Sequence, residues 1–421
     1  MTTLDSPATA ASAIQPASSS GQSRIQTVDA VRGAVIILMA LDHVRDYISS
    51  AAMNFSPTDL TRTTTAIFFT RWITHFCAPV FAFTAGIGAF LWLGRSRTKA
   101  QLSRFLLTRG LWLIFLELTV LRFILVLEIG VKDHLIILSV IWMLGLSMVV
   151  LAGLVHLPTR VLAVLSVVVI VGHNLFDKVS AASFGDWAWL WNMLHQLGVF
   201  RFHDASILVG YPLVPWVAVM AAGYCFGQVF QSHPSKGAPA WDAGRRRQFL
   251  LRLGVGLSAA FIVARALNVY GDPFRWATQS SRLFTVLSFL NTTKYPPSFL
   301  FLLMTLGPAM IAMAWLEHRR FSDVHPLMVF GRVPFFFFTV HLAVIHAIAI
   351  LLGYLRYGWT NFLLIPAPSL GSMRSKFPAD FGFDLWVVYV VWIAVIVMMY
   401  PLCRWFAGLK QRRRHWWLSY L

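Results

Sequence analysis

The sequence contains few charged residues and especially few acidic ones. Asp, Glu, Lys and Arg make up 12% of its 421 residues, whereas a typical soluble domain has about 25%. Acidic residues number 17 against 35 basic ones, which gives a formal net charge of +18. Because 57% of the residues are hydrophobic and the mean hydropathy is +0.67, the composition excludes an ordinary soluble domain. It predicts an all-α, polytopic integral membrane protein.

Cysteine is also scarce. The three cysteines, Cys77, Cys225 and Cys403, all fall inside apolar segments. They show neither a disulfide pattern nor metal-ligand spacing, so no metal is expected. The basic excess does not indicate nucleic-acid binding, because no such motif is present and the basic residues lie in short loops between apolar segments.

Ten apolar runs are each close to the roughly 20 residues that a helix needs to cross a bilayer. They lie at about 31–51, 66–94, 105–126, 134–156, 159–177, 205–230, 250–270, 296–316, 328–352 and 385–406. With a cytoplasmic N-terminus, the inner segments contain nineteen Lys and Arg residues and the outer loops ten. The positive-inside rule therefore predicts about ten transmembrane helices with both termini cytoplasmic.

The predicted domains follow from these runs. Residues 1–23 lack the basic start and apolar run of a signal peptide, and their composition is typical of a disordered cytoplasmic tail. Residues 24–407 form the predicted transmembrane domain. Residues 408–421 form a basic cytoplasmic tail, whose KQRRRH run anchors the chain to lipid headgroups.

Several ionisable residues lie inside apolar helices, where they are costly and by default suggest function. The first predicted span contains the adjacent pair Asp42 and His43. At about 1.5 Å per residue, His43, His75, Glu117 and His341 lie about 12–16 Å from the outer surface on four different helices. This shared depth favours a common site, although each residue alone is also compatible with a satisfied contact between helices.

Further polar residues lie near the predicted outer ends of the spans. Arg71 lies four residues before His75, on the same helix face. It offers either a fixed cation for an anionic substrate or a CoA phosphate, or a side chain that snorkels to the interface. Tyr211 begins the proline-containing YPLVPW segment. Lys294 and Tyr295 precede two prolines, which favours either a headgroup or sugar contact or a plain interface anchor.

The motif TVDAVRGAVIILMALDH at residues 27–43 resembles the first-helix signature of the transmembrane acyltransferase superfamily. In its O-antigen-acetylase branch a histidine follows the arginine by eleven residues, as His43 follows Arg32. Other stretches resemble a bacterial family related to heparan-α-glucosaminide N-acetyltransferase. They include HFCAPVFAFTAG at 75–86, YPLVPWVAVMAAGY at 211–224, KYPPSFLFLLMTLG at 294–307 and GRVPFFFFTVH at 331–341.

The resemblance implies a membrane-embedded acyltransferase of the bacterial cytoplasmic membrane. It would move an acetyl or other acyl group from cytosolic acyl-CoA, its co-substrate, to a hydroxyl or amine of a sugar-like or envelope acceptor on the outer side. Four arginines lie toward the cytoplasm, where they could hold the CoA phosphates, although topology alone also explains basic residues there. They are Arg24, Arg32, Arg104 and Arg109. Membrane lipids and a small-molecule or glycan acceptor are the expected partners, and an oligomer is left open.

Acyl transfer requires a general base for the acceptor, and histidine is the side chain best suited to that role near neutral pH. We therefore assign His43 as the base or, alternatively, as a transient acyl carrier. His75, His341 and Glu117 are candidate orienting residues or proton relays. Asp42, about 100° from His43 around the helix, is a poor orienter of His43 and is expected to pair with Arg45 or Arg71.

A proton-coupled transporter or flippase is the alternative function. Intramembrane His, Glu and Arg residues also form proton relays. Many transporters, however, contain inverted repeats with paired broken helices. The proline-broken sixth span has no counterpart in the first span, and the sequence shows no internal repeat, so the acyltransferase is favoured.

Overall fold

A computed structural model describes residues 26–94, 97–126, 135–231, 241–370, 372–413 and 415. These residues are mostly helical, and seven helical segments among them are long and apolar enough to cross a membrane. The seven are Thr65–Leu93, Thr159–Phe176, Leu213–Phe230, Ala243–Leu267, Phe299–Leu316, Pro334–Tyr357 and Leu385–Arg412. The prediction of a helical multi-pass membrane protein is confirmed at this level.

The α-helices occur in the following order. They are α1 (Gln26–Ile48), α2 (Ser50–Asn54), α3 (Thr65–Ile73), α4 (Cys77–Leu93), α5 (Lys99–Leu116), α6 (Arg122–Val126), α7 (Val140–Leu154), α8 (Thr159–Gly172), α9 (Ala188–Leu194), α10 (Leu213–Phe226), α11 (Ala243–Leu267), α12 (Arg282–Leu290), α13 (Phe299–Leu316), α14 (Pro326–Arg332), α15 (Pro334–Tyr357) and α16 (Leu385–Arg412).

Three further predicted spans are helical but differ from simple apolar spans. The first coincides with α1, which contains buried Asp29 and Arg45. The third comprises α5 and α6, joined by a π-helical turn at Glu117–Leu121. The fourth is α7, an apolar helix of 15 residues. The number of ten spans, the cytoplasmic termini and the predicted domain boundaries remain predictions, and residues 1–23 lie outside the described part of the chain.

A small β-sheet departs from the all-α prediction. Its strands are β1 (Leu135–Leu138), β2 (Gly198–Phe202) and β3 (Ala205–Val209), in the order β1-β3-β2. Strand β1 pairs parallel to β3, and β2 pairs antiparallel to it. The predicted starts of the fourth span at 134 and the sixth at 205 are therefore wrong. Strands β1 and β3 are both apolar, and each is followed closely by a helix. Hydropathy alone therefore does not distinguish the strand from the start of the membrane span.

Helix α1 lies at the centre of the helix bundle. It packs against α4, α13, α14, α15 and α16, and most of its side chains are buried. Gly33 allows close approach to α14, because a Cβ at this position would collide with the backbone carbonyl of Leu327. Gly331 of α14 makes the reciprocal approach to the backbone of Asp29. Small residues at such crossings let membrane helices pack backbone to backbone, and this crossing fixes the position of α1.

We expect Gly33→Ala to destabilise the protein. The added methyl group has no space against the α14 backbone, and overpacking of this kind costs about 1–3 kcal/mol. Denaturant unfolding in detergent micelles measures this loss. Gly153→Ala in α7 is the matched control, since nothing lies within 4 Å of a Cβ at that position. Equal stability of the two variants would contradict the proposed tight crossing.

Candidate active site

A cavity of about 880 Å³ lies beside the C-terminal half of α1. Its walls come from α1, α3, the turn between α3 and α4, the segment before α13, and α15. Of the side chains predicted for the site, those that line it are Asp42, His43, Arg71, His75, Tyr211, Lys294 and Tyr295. Residues far apart in sequence thus form one polar chamber within a mostly apolar bundle.

His43 and His341 form a hydrogen-bonded pair at this cavity. The Nδ1 atom of His43 lies 2.8 Å from Nε2 of His341. The Nδ1 atom of His341 lies 2.8 Å from the backbone carbonyl of Phe337. His341 is fully buried, whereas His43 is partly exposed to the cavity.

The carbonyl of Phe337 fixes the direction of these hydrogen bonds. A carbonyl only accepts, so His341 Nδ1 holds a proton and, in the neutral ring, Nε2 is the acceptor. His43 must then donate from Nδ1, which leaves a lone pair on its Nε2. The described residues give His43 Nε2 no hydrogen-bond partner. The pair therefore orients His43 as a proton acceptor, with His341 as the residue that sets its tautomer.

The Asp42 side chain contacts a different set of residues from those that contact His43. Its carboxylate accepts from Arg71 Nη1 at 2.5 and 2.7 Å, from Arg45 Nη2 at 2.9 Å and from Thr74 Oγ at 2.9 Å. Arg45 also pairs with Asp46 at 2.6 Å. Asp42 therefore connects α1 to α3, and among the described residues it forms no hydrogen bond with the ring of His43.

Sequence reasoning did not include Arg45 among the site residues, although it named this residue as a partner of Asp42. Arg45 is 3% exposed and lies one helical turn after Asp42. The spacing of three residues was the available signal, since residues at i and i+3 are neighbours on a helix. Two arginines thus share two carboxylates, Asp42 and Asp46, at the wall of the cavity.

His75 occupies the short 3₁₀ turn Thr74–Phe76 that joins α3 to α4. Its ring is 3% exposed and packs against Phe301 at a centroid distance of 5.4 Å. The described residues provide no hydrogen-bond partner for its Nδ1. A turn of 3₁₀ geometry within a longer helix often marks a functional position, and here it directs His75 to the cavity wall.

Lys294 and Tyr295 enter the cavity from the segment before α13. Lys294 is 7% exposed, and its ammonium group lies 5.2 Å from the ring centroid of Tyr295. The Tyr295 hydroxyl lies 3.4 Å from Arg71 Nη2 and 3.5 Å from the Tyr211 hydroxyl. Burial opposes ionisation of Tyr295, but the positive charges of Lys294 and Arg71 outweigh it and lower the pKa of the phenol.

Glu117 lies apart from this cavity. It begins the π-helical turn after α5, and its Oε1 accepts from the backbone N–H of Ser139 at 3.1 Å. Ser139 is the residue that precedes α7. Among the described residues, Glu117 does not contribute to the wall of the large cavity, so the shared depth predicted for it did not bring it beside His43.

A second cavity, of about 240 Å³, lies beside the N-terminal half of α1. Arg32 and Arg109 line it together with the aromatic side chains of Trp92 and Phe105. The guanidinium of Arg32 also donates to the backbone carbonyl of Thr84. Two of the arginines predicted for CoA binding therefore share one chamber. Arg104 is exposed on α5 and is not part of this cavity wall, and Arg24 lies outside the described residues.

Phe338 and Val140 line both cavities. The ring of Phe338 contacts His43 edge to face, with centroids 5.8 Å apart. The sequence did not predict a role for Phe338, because it is one of four consecutive phenylalanines, residues 335–338, with nothing to distinguish it. The two chambers are thus separated by apolar side chains directly beside His43.

These features define a multi-pass membrane protein with a buried histidine site between two chambers. The family model for the catalytic domain of heparan-α-glucosaminide N-acetyltransferase matches residues 24–262, more than half of the chain. The chain therefore belongs to this family, and the predicted resemblance is confirmed. Family membership makes it a membrane acyltransferase in general terms. No individual curated protein matches it.

Proposed function

We propose that the protein transfers an acetyl or other acyl group from acyl-CoA to a hydroxyl or amine of a sugar-like or envelope acceptor. The acyl donor enters the smaller cavity, and the acceptor enters the larger one, across a bacterial cytoplasmic membrane. One observation carries this proposal: His43 presents an oriented proton acceptor at the boundary of the two cavities. Acyl transfer requires such a base beside both substrates.

The smaller cavity suits the acyl donor. Arg32 and Arg109 supply positive charge at its wall, and guanidinium groups bind phosphate oxygens in a bidentate manner. Its other walls are apolar and aromatic, which fits the pantetheine arm and the acyl chain. The thioester then reaches His43 past Phe338.

The proposed reaction balances without a further reactant. His43 Nε2 accepts the proton of the acceptor hydroxyl or amine as its oxygen or nitrogen bonds to the thioester carbonyl carbon. The tetrahedral oxyanion then collapses, and the carbon–sulfur bond breaks. The leaving thiolate takes the proton from the imidazolium of His43, which yields free CoA and the acylated acceptor. Arg71 and Lys294 place positive charge at the same cavity, where it favours the oxyanion.

The larger cavity suits an acceptor with several polar groups. Tyr211, Tyr295 and Lys294 line it as hydrogen-bond donors. The described residues give Lys294 no carboxylate partner, whereas Arg71 is paired with Asp42. A buried ammonium without a carboxylate in direct contact is costly, so an acceptor that bears negative charge near Lys294 would bind most tightly.

We expect Lys294→Gln to raise KM for the acceptor about tenfold, equivalent to about 1.4 kcal/mol, with a smaller effect on KM for acyl-CoA. Initial rates measured against each substrate give this comparison. Lys376→Gln is the matched control, because this lysine is exposed and outside the cavity wall. An unchanged acceptor KM in Lys294→Gln would remove Lys294 from acceptor binding.

The function is tested with the purified full-length protein in detergent and in proteoliposomes. Acetyl-CoA and a panel of hydroxyl- and amine-bearing sugars are supplied, and CoA release and acylated product are measured together. Stoichiometric product and CoA support the proposal. Release of CoA without acceptor, with label retained on the protein but not on its His43→Ala variant, indicates that His43 is an acyl carrier. Solute uptake without consumption of acetyl-CoA would instead identify a transporter.

A further inference from the structure

A second cluster of chemically reactive side chains lies away from the two cavities, at the C-terminal end of α8. His173 begins the 3₁₀ turn that follows this helix, Asp177 comes directly after that turn, and His195 follows α9. One ligand atom from each of the three side chains lies within 4.8 Å of the others. Imidazole and carboxylate groups are the ligands of many first-row metal sites.

The spacing of the two imidazoles fits a shared cation better than a hydrogen bond. Nδ1 of His173 and Nε2 of His195 lie 3.4 Å apart. A tetrahedral zinc ion with bonds of about 2.0–2.1 Å separates two nitrogen ligands by about 3.3–3.4 Å. Hydrogen bonds between nitrogen donors and their acceptors are usually shorter, at about 2.7–3.2 Å.

One nitrogen of the buried His173 ring lacks a hydrogen-bond partner among the described residues. The residue is 3% exposed, and its Nε2 has no hydrogen bond among the described residues. Its other nitrogen makes only the long contact with His195. A buried imidazole in this state is costly. Coordination through Nδ1 would replace its long contact with His195 by a metal bond, while Nε2 would keep the ring proton.

Asp177 completes the cluster from a partly exposed position. Its Oδ2 accepts a hydrogen bond from Asn174 at 2.8 Å. Its Oδ1 has no hydrogen bond among the described residues. The three ligand atoms lie within 4.8 Å of one another, so the spacing of about 3.3–3.4 Å in a tetrahedral site requires the carboxylate to move inward. A side-chain rotation of a partly exposed aspartate provides such a movement.

We propose that His173, His195 and Asp177 bind one divalent transition-metal cation, best matched by zinc, with water as the fourth ligand. His195 Nε2 lies 2.9 Å from the backbone carbonyl of His173 and donates to it when the cation is absent. Binding requires the other tautomer, with the proton on Nδ1, so the ring remains neutral. The sequence did not predict this site, because His195 is 22 residues from His173.

The position of the cluster indicates a structural role. Asn174, adjacent to His173, accepts from the backbone N–H of Phe299 at 2.8 Å through its side-chain oxygen. Phe299 is the first residue of α13, directly after the segment that contains Lys294 and Tyr295. A cation at the cluster would therefore hold the end of α8, the segment around α9 and the acceptor-side segment in one arrangement.

The test uses the full-length protein, purified in detergent, stripped with a chelator and titrated with zinc. We expect about one zinc per chain, a Kd of about 1 µM or below, and a rise in the temperature of unfolding on zinc addition. Cobalt substitution supplies a direct readout, because tetrahedral coordination gives intense visible absorption. Less than about 0.2 zinc per chain, with no thermal shift, overturns the proposal.

Two variants and one control test the ligands. Asp177→Asn is nearly isosteric and is expected to weaken zinc binding at least about tenfold. His195→Gln retains a donor for the His173 carbonyl and is expected to abolish stoichiometric binding. His203→Asn changes an exposed histidine with a positive φ of 50°, which asparagine tolerates, and should bind zinc as the unaltered protein does. Unaltered affinity in Asp177→Asn and His195→Gln also overturns the proposal.

Discussion

His43→Ala is expected to lower kcat for acyl transfer by about 10²–10⁴-fold, the usual effect of removing a general base. Among the described residues, His43 is the proton acceptor that the hydrogen bond with His341 orients into the larger cavity, and this variant lacks it. Binding of acyl-CoA should change little, because the donor contacts proposed for the smaller cavity remain. Single-turnover rates with saturating acyl-CoA separate the chemical step from binding.

His156→Ala is the control for this experiment. His156 is exposed in the connection between α7 and α8, and its replacement should leave both kcat and KM unchanged. Thermal unfolding of both variants shows whether each is folded. A folded His43→Ala protein with full activity would exclude His43 from the chemistry, although membership of the family would stand on its own evidence.

Asp42→Asn is expected to destabilise the protein by about 3–5 kcal/mol, the cost of leaving a buried charge without its partner. Arg71 loses both of its carboxylate contacts in this variant. Arg45 retains Asp46, so Arg71 is the residue left uncompensated. Since Arg71 also contacts Tyr295, the cavity wall should become disordered along with α3. The free energy of unfolding in micelles measures the effect.

Asp323→Asn is the matched control, because Asp323 pairs with Arg332 but is 76% exposed at its side chain. Exposed ion pairs contribute less than about 1 kcal/mol. The difference between the two variants therefore isolates the contribution of burial. Equal losses of stability would mean that the Asp42–Arg71 pair does not hold α1 against α3.

Much of the helical scaffold could be predicted because hydropathy reports directly on membrane insertion. The same signal failed at β1 and β3, where apolar residues form strands next to helices. The boundary between an apolar strand and an apolar helix depends on which backbone groups find partners. The partner of β3 is β1 (Leu135–Leu138), about 70 residues earlier in the chain. A local sequence pattern contains no information about such long-range pairing.

The candidate site could be predicted only as far as depth along each helix allowed. Depth placed His43 and His341 at a similar level, and the structure places their rings in contact. Depth contains no information about direction around the helix axis, so it placed Glu117 with them although Glu117 instead bonds to Ser139. Directions around the axis depend on helix packing, which the sequence alone did not provide.

The phenylalanine ring shared by the two chambers has a consequence for the permeability of the membrane. Among the described residues, only Phe338 and Val140 line both cavities. An apolar partition of this kind excludes hydrated ions far better than a polar one. In the proposed reaction, the fragment that passes this partition would be the small acyl group, and the charged nucleotide portion of acyl-CoA would remain in the smaller cavity. If the acceptor is acylated on the outer side as proposed, this arrangement would supply acyl groups there without dissipating the proton gradient across the membrane.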